Sequence, residues 1–355
     1  MEKINELQKF LKKSHQAFLL RSAVNRRYFT GFPSSDGYLL ITKKEAVFFT
    51  DSRYIEAAQK SVTSCESRLL TRVEKEIKSY IREKRIYKIY AEASSLSVGS
   101  AQYLKKIFFP RIVKPSFKLE DKINGLRAVK TKEEIENIKT AQKIAEEAFS
   151  HILTFIKPGV TEKQIALELD FYMLSHGAEA LSFETIAVTG AKTSMPHGVP
   201  DETVVKNGDF VTMDFGAVYK GYHSDMTRTV AVGNVSPEQK AVYDIVLKAQ
   251  KACLDLLKKG VSCADADKAS REIISAEGYG DYFGHGTGHG VGVEIHENPN
   301  LSPRSTAILE TGNIVTVEPG IYLPEKFGVR IEDMAVITDE GCENLTSAPK
   351  ELIIL

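Results

Sequence analysis

The feature that most constrains this chain is that its C-terminal part reads twice. KPGVTEKQIALELDFYMLSHG (157–177) matches KKGVSCADADKASREIISAEG (258–278), pairing Gly159 with Gly260, Val160 with Val261, Thr161 with Ser262 and Gly177 with Gly278. NGDFVTMDFG (207–216) then matches TGNIVTVEPG (311–320), and GYHSD (221–225) matches GVRIE (328–332). A unit repeated after about 100 residues identifies residues that occupy equivalent places in space. Asp214 therefore stands opposite Glu318, and Asp225 opposite Glu332.

Each copy reads as helix, helix, strand and hairpin. Thr131 with Glu134 forms a capping box ahead of a long amphipathic helix that stops at Pro158-Gly159, and Thr161 with Gln164 caps the next. Ser262 with Asp265 is expected to repeat that box in the second copy. A lone Asp in a strand is ordinarily a surface residue. Here VTMDFG and VTVEPG run apolar up to the acid, and a buried carboxylate costs several kcal/mol unless it is paired or bound to a metal. Four acids on a pseudo-twofold axis carry a charge of the size that two divalent cations offset. Carboxylates with a few imidazoles suit Mn²⁺, Co²⁺, Fe²⁺ or Zn²⁺ and argue against a thiolate site.

The imidazoles are concentrated in FGHGTGHGVGVEIHENP (283–299), where His285, His289 and His296 lie among glycines that permit close approach of backbone to a ligand. His197, between Pro196 and Gly198, sits in a loop able to reach the same place, whereas His15 and His151 read as surface residues. GHGTGHG lacks the Walker lysine and the strand-to-helix setting of a dinucleotide fingerprint, so no nucleotide-binding residues are expected.

A chain of 355 residues is long for one core and implies two domains. FLLRS, GYLLIT and EAVFFTD are strand-length apolar runs of a small α/β unit, and the pattern loosens from Pro110 to Gly125, so the expected domains are 1–121 and 122–355. Forty-seven basic residues balance 47 acidic ones, which argues against a nucleic-acid or acidic-membrane partner. Cys65, Cys253, Cys263 and Cys342 lie too far apart for a metal or redox motif. MEKINELQKFLKK is amphipathic, with no apolar run of spanning length, so a cytoplasmic location is expected.

These residues together resemble the pita-bread metallopeptidases, the family of methionine aminopeptidase, aminopeptidase P, prolidase and creatinase. Asp214 in DFG, Asp225 in HSDMTRT, His289 in HGTGHG, Glu318 in VEPG and Glu332 in RIED match the family's five metal ligands, and VNRRYFTGF with FTDSRY resembles the smaller domain of aminopeptidase P, prolidase and creatinase. The resemblance implies an α+β chain, with a pita-bread catalytic domain carrying an internal pseudo-twofold repeat behind a creatinase/prolidase-type α/β domain. It implies two divalent ions, Mn²⁺ first and Co²⁺, Zn²⁺ or Fe²⁺ as alternatives. Asp225 and Glu332 would bridge them, Asp214 would chelate one, and His289 with Glu318 would bind the other. A hydroxide between the metals would be the nucleophile, Glu318 the proton shuttle, and His296, His197 and His285 would orient substrate and steady the tetrahedral intermediate. Arg330 is expected on one strand with Glu332 and on its face, in an outer network with Tyr322 and Asp214.

The implied reaction is removal of the N-terminal residue from peptides whose second residue is proline, with the Xaa-Pro dipeptidase reading as alternative. The small first domain speaks against methionine aminopeptidase, and intact ligands speak against creatinase and against a non-catalytic peptide-binding module. A metallohydrolase for a phosphate-bearing substrate would need a basic cluster that is not evident. The expected partners are a proline-containing peptide or dipeptide and, by family analogy alone, a second copy in a homodimer.

Overall fold

The computed structural model describes residues 2–355, which form two compact units divided between Leu126 and Arg127. The division lies near the end of the helix Phe117–Ala128, past the position 122 expected from the sequence.

The N-terminal unit is built on six strands, β1 (Gln16–Leu20), β2 (Tyr38–Thr42), β3 (Ala46–Thr50), β4 (Glu66–Leu69), β5 (Lys88–Ala91) and β6 (Ile112–Pro115), in the order β4-β3-β2-β1-β5-β6. The three apolar runs seen in the sequence are the central β1, β2 and β3. β2 and β3 are buried throughout, as continuous apolar strands covered on both faces must be. Pairing is mixed: β1 runs antiparallel to β2 and parallel to β5, whose chain returns through helices.

In the C-terminal unit the strands are β7 (Ala180–Leu181), β8 (Ile186–Thr189), β9 (Phe210–Phe215), β10 (Ala217–Tyr219), β11 (Tyr222–His223), β12 (Met226–Ala231), β13 (Gly288–Gly290), β14 (Glu297–Leu301), β15 (Ile314–Val317), β16 (Gly320–Leu323), β17 (Phe327–Arg330), β18 (Asp333–Ile337) and β19 (Cys342–Asn344). The repeat is visible bond by bond. Gly159 N–H donates to Val205 O, Val205 N–H to Val160 O and Glu162 N–H to Thr203 O; in the second copy Gly260 donates to Leu309, Leu309 to Val261 and Cys263 to Ala307. The matched glycines recur because Gly159, Gly177, Gly260 and Gly278 all have φ between 85° and 104°, which side chains with a Cβ avoid.

One expected cap differs. Ser262 Oγ accepts from Asp265 N–H at 3.0 Å, but among the described residues no return bond from the Asp265 carboxylate is made, whereas Gln164 reaches back to Thr161 N–H at 2.9 Å. Asp is one methylene shorter than Gln, so the second copy keeps half of the box.

The strands are hydrogen-bonded in the groups β12-β9-β8, β11-β10-β7, β14-β13-β15-β18-β19 and the ribbon β16-β17. The breaks fall just past the two strand acids. A Cβ on Gly216 would lie 2.0 Å from Ser224 O, so the chain crosses itself there, and Pro319 has no N–H to continue a ladder.

Strand alternation then sorts the side chains. Val211, Met213 and Phe215 of β9 pack against Ile144, Phe149, Leu169 and Met173 of the helices Lys132–Ile152 and Glu162–Ser175. Val315 and Val317 of β15 pack with Cys253 and Ala266 of Pro237–Leu256 and Cys263–Ala276. Asp214 and Glu318, out of phase with these, face away from the helices. The copies are stitched where the acids meet: Thr229 Oγ1 donates to Arg330 O at 3.0 Å, and Glu332 N–H donates to Thr227 O at 3.1 Å.

Arg228 locks that seam. Its guanidinium pairs with Asp333 at 2.7 Å, both side chains being at most 1% exposed, and donates to the carbonyls of Thr227, Glu332, Ala348 and Pro349. Removing one member of a buried, fully bonded pair leaves a desolvated charge. Arg228→Met should therefore cost about 3–5 kcal/mol in urea unfolding; a loss within about 0.5 kcal/mol, as for ordinary surface substitutions, would contradict this role.

Candidate metal centre and active site

Five side chains that the sequence singled out converge at the seam. Asp214 lies on β9, Asp225 just before β12, His289 on β13, and Glu318 and Glu332 in the breaks after β15 and β17. His289 Nε2 is 3.5 Å from Asp225 Oδ2 and 3.4 Å from Glu318 Oε1, and donor atoms of Asp225, His289 and Glu332 lie within 4.8 Å of one another. Such separations are long for hydrogen bonds and suit donors sharing a cation at bond lengths of about 2.0–2.2 Å. His289 Nδ1 faces Gly290 O at 3.1 Å, so the proton resides on Nδ1 and the Nε2 lone pair points into the cluster.

The electrostatics are severe. Burial, then Glu332, Asp214 and Glu318, hold the Asp225 carboxyl well above the ordinary range; burial, then Glu318 and Asp214, do the same to Glu332. Burial pushes Glu318 up to about 8, with Asp214 adding and Arg330 opposing, and burial lowers His289 to about 4. Asp214 Oδ1 and Glu332 Oε1 are buried with no hydrogen-bond partner. Orphaned acceptors beside mutually repelling acids are the arrangement that a cation satisfies.

Around the acids sits a donor network. Arg330 donates to Asp214 Oδ2 at 2.7 Å, to Tyr322 OH at 3.0 Å, to Thr227 Oγ1 at 3.0 Å and to Pro196 O at 3.2 Å. Burial would lower its pKa, but Tyr322 and Asp214 overcome that and keep it charged. Tyr322, pushed up to about 12 by burial, donates in turn to His285 Nε2 at 2.8 Å, because His285 Nδ1 is engaged with Gly286 O. Burial lowers His285 to about 4, so it is neutral. Arg330 and Glu332 do not share a strand as expected: β17 ends at Arg330 and β18 begins at Asp333, with Glu332 in the break. Arg330 reaches Glu332 through Thr227, whose Oγ1 accepts from Arg330 Nε and donates to Glu332 Oε2 at 2.7 Å.

Sequence reasoning passed over Thr227 and Thr316. Thr316 Oγ1 donates to Glu318 Oε1 at 3.3 Å and accepts from His289 N–H at 3.0 Å. Their signal was period two: Thr316 precedes Glu318, and Thr227 follows Asp225, by two residues. A cavity of about 760 Å³ opens over the cluster. His197, His285, His289 and His296 line it, together with the apolar side chains of Phe183, Ile186, Val199 and Ile295. His289 and His296 rings stand 4.4 Å apart.

Residues 136–339 match the model of metallopeptidase family M24, and residues 3–129 match the creatinase/prolidase N-terminal domain. The chain belongs to metallopeptidase family M24. This M24 chain superposes on an Xaa-Pro dipeptidase from Bacillus anthracis with a TM-score of 0.96 at 44% identity, covering 100% of this chain and 99% of that one. It superposes on an X-Pro aminopeptidase from Thermotoga maritima with a TM-score of 0.91 at 37% identity, covering 96% and 97%. In sequence it is 37% identical to an Xaa-Pro dipeptidase of Pyrococcus furiosus over 99% of both chains. It is thus a metallopeptidase, with the creatinase-type first domain and pita-bread second domain that the resemblance implied. Among the described residues, no helix is long and apolar enough to cross a membrane.

The raised carboxyl pKa values carry a sign. In the metal-free M24 protein, Glu318 at about 8 binds a proton that the unfolded chain has already lost, so its contribution is present below about pH 4.5 and lost as pH rises through 8. His285 and His289 are neutral in both states above about pH 7 and do not oppose it there. Thermal unfolding of chelator-stripped protein should show Tm falling between about pH 7 and 8.5, and added Mn²⁺ should remove the fall. A metal-free Tm that is flat or rises over that range would contradict the crowding of the acids.

Proposed function

We propose that this M24 peptidase hydrolyses the N-terminal Xaa-Pro bond of short peptides, on two divalent cations held by Asp214, Asp225, His289, Glu318 and Glu332. The observation that carries the metal pair is the two orphaned oxygens, Asp214 Oδ1 and Glu332 Oε1, within a cluster where burial and neighbouring acids hold the Asp225 and Glu332 carboxyls well above their ordinary range. The donor set fits: four carboxylates and one imidazole with its Nε2 free, without thiolate, suit hard or borderline ions, with Mn²⁺ the first choice. When bound, such ions supply a hydroxide nucleophile at neutral pH and polarise the scissile carbonyl.

The chain's own groups do the rest. Glu318, whose carboxyl titrates near 8 in the metal-free cluster, holds and returns the proton that passes from the attacking water to the leaving nitrogen. Arg330 and Thr227 keep Asp214 and Glu332 turned inward. His296 and His197, at the cavity surface, face the scissile carbonyl and steady the developing oxyanion, and the Tyr322–His285 bond fixes His285 as a neutral partner. The apolar side chains lining the cavity give a proline ring a surface to bury.

The proline preference draws support from similarity to proteins named Xaa-Pro dipeptidase and X-Pro aminopeptidase. A cavity of about 760 Å³ has room beyond a dipeptide, which favours the aminopeptidase reading, while the 44% and 37% identity to two Xaa-Pro dipeptidases favours the dipeptidase. The setting we propose is a cytoplasmic homodimer, by family analogy.

Cleavage of Ala-Pro, Ala-Pro-Ala and Met-Ala-Ser by Mn²⁺-loaded protein separates the readings by mass spectrometry. Cutting the first two is expected; cutting only Ala-Pro makes it a dipeptidase, and cutting Met-Ala-Ser but neither proline peptide would overturn the proline assignment. Asp225→Asn should abolish turnover and reduce bound metal while leaving the fold intact, and full Mn²⁺-stimulated activity in that variant would contradict the bridging role.

A further inference from the structure

His296 reaches the cavity from a segment outside the β13–β14 ladder; the segment's backbone bonds to Ile314 and His223 lie at its start, at Val291 and Gly292. β13 and β14 pair at Gly290 and Glu297, and the six residues between them loop out irregularly. Inside the loop's base lies the Glu297 carboxylate, 3% exposed, and it is heavily engaged. It accepts from Arg127 Nη2 at 2.7 Å and Nε at 3.2 Å, from Lys130 Nζ at 3.3 Å, and from Glu294 N–H at 3.1 Å. Arg127 and Lys130 side chains are 6% and 1% exposed, and Arg127 also bonds the Glu294 carboxylate. The half-exposed Glu294 carboxylate completes the charge balance at the outer edge, where two buried cations meet the one buried carboxylate of Glu297.

The loop is wrapped tightly on this carboxylate. A Cβ on Gly292 would stand 2.5 Å from Glu297 Oε2. His289, by contrast, is held through Thr316 Oγ1 and the pairing of Gly290 with Val315, and meets the clamp through the backbone pairing of Gly290 with Glu297 rather than through the Glu297 carboxylate. One device therefore places the expected metal ligand, and another places the neighbouring histidine.

We propose that Arg127 and Lys130, by clamping Glu297, are positioning residues for His296. The inference rests on the reading of His296 as a group facing the scissile bond. Because the clamp touches neither metal ligand nor cavity, loosening it should lower kcat and spare bound metal.

The test is a double-mutant cycle on Ala-Pro cleavage by the Mn²⁺-loaded full chain, with metal content measured in each variant. Arg127→Met should lower kcat about tenfold with metal content unchanged, and should cause no further loss in a His296→Ala background. Because Arg127→Met strands a buried carboxylate, Gly292→Ala provides a second route: it displaces the clamp without uncovering a charge and should show the same dependence on His296. Equal losses with and without His296, or loss of metal, would overturn the positioning role while leaving the reading of His296 intact. If His296→Ala alone keeps full kcat, the reading of His296 fails and the inference falls with it.

Discussion

Three clustered carboxyls, those of Asp225, Glu318 and Glu332, are pushed far above their ordinary pKa by burial and by neighbouring acids, Asp214 among them. Such a cluster destabilises a fold unless something positive enters it, and much of the C-terminal unit reads as a way of building and containing it. The repeated strand-and-hairpin unit brings one pair of acids from each copy to a common seam. The helices cover the opposite faces of β9 and β15, so apolar burial on one side is what aims the acids to the other. Arg330 supplies one fixed positive charge, and the orphaned oxygens mark where further positive charge belongs.

The centre also separates what must be rigid from what must be placed. The five converging side chains sit on strands or in the short breaks beside them, where backbone pairing across the two copies fixes them. The other histidines that line the cavity, His197, His285 and His296, sit on loops, and each loop is tied down by a buried acid. Glu162 holds the segment before and after His197 through Lys192, Thr189 N–H and Asp201 N–H. Asp267 and Arg271 hold the segment of His285 through Thr287 N–H and the Phe283 and His285 carbonyls. Glu297 does the same for the segment of His296. Loops carry chemistry well only when a scaffold over-determines them.

Much of this was legible because duplication repeats its constraints. Matched glycines marked positions of positive φ, and matched acids inside apolar strands marked burial that only a partner or a metal relieves. The clustered histidines declared the cavity wall. What escaped was what local pattern cannot carry. The Ser262 cap looked like a full box, but an Asp is too short to close it. Arg330 and Glu332, two residues apart, were read as one strand, yet the chain breaks between them and Thr227 takes over the contact. Arg228, Arg127 and Lys130 carry no local signal, because their partners lie more than 100 residues away in sequence. Their burial is decided by the packed unit alone.

The most direct test of the metal reading is stoichiometry: protein stripped with chelator, reloaded with Mn²⁺, passed through a desalting column and assayed by elemental analysis. The account predicts two ions per chain, falling in the Glu332→Gln variant. A chain that retains no more than adventitious metal, while still cleaving Ala-Pro as fast as the reloaded enzyme, would contradict it.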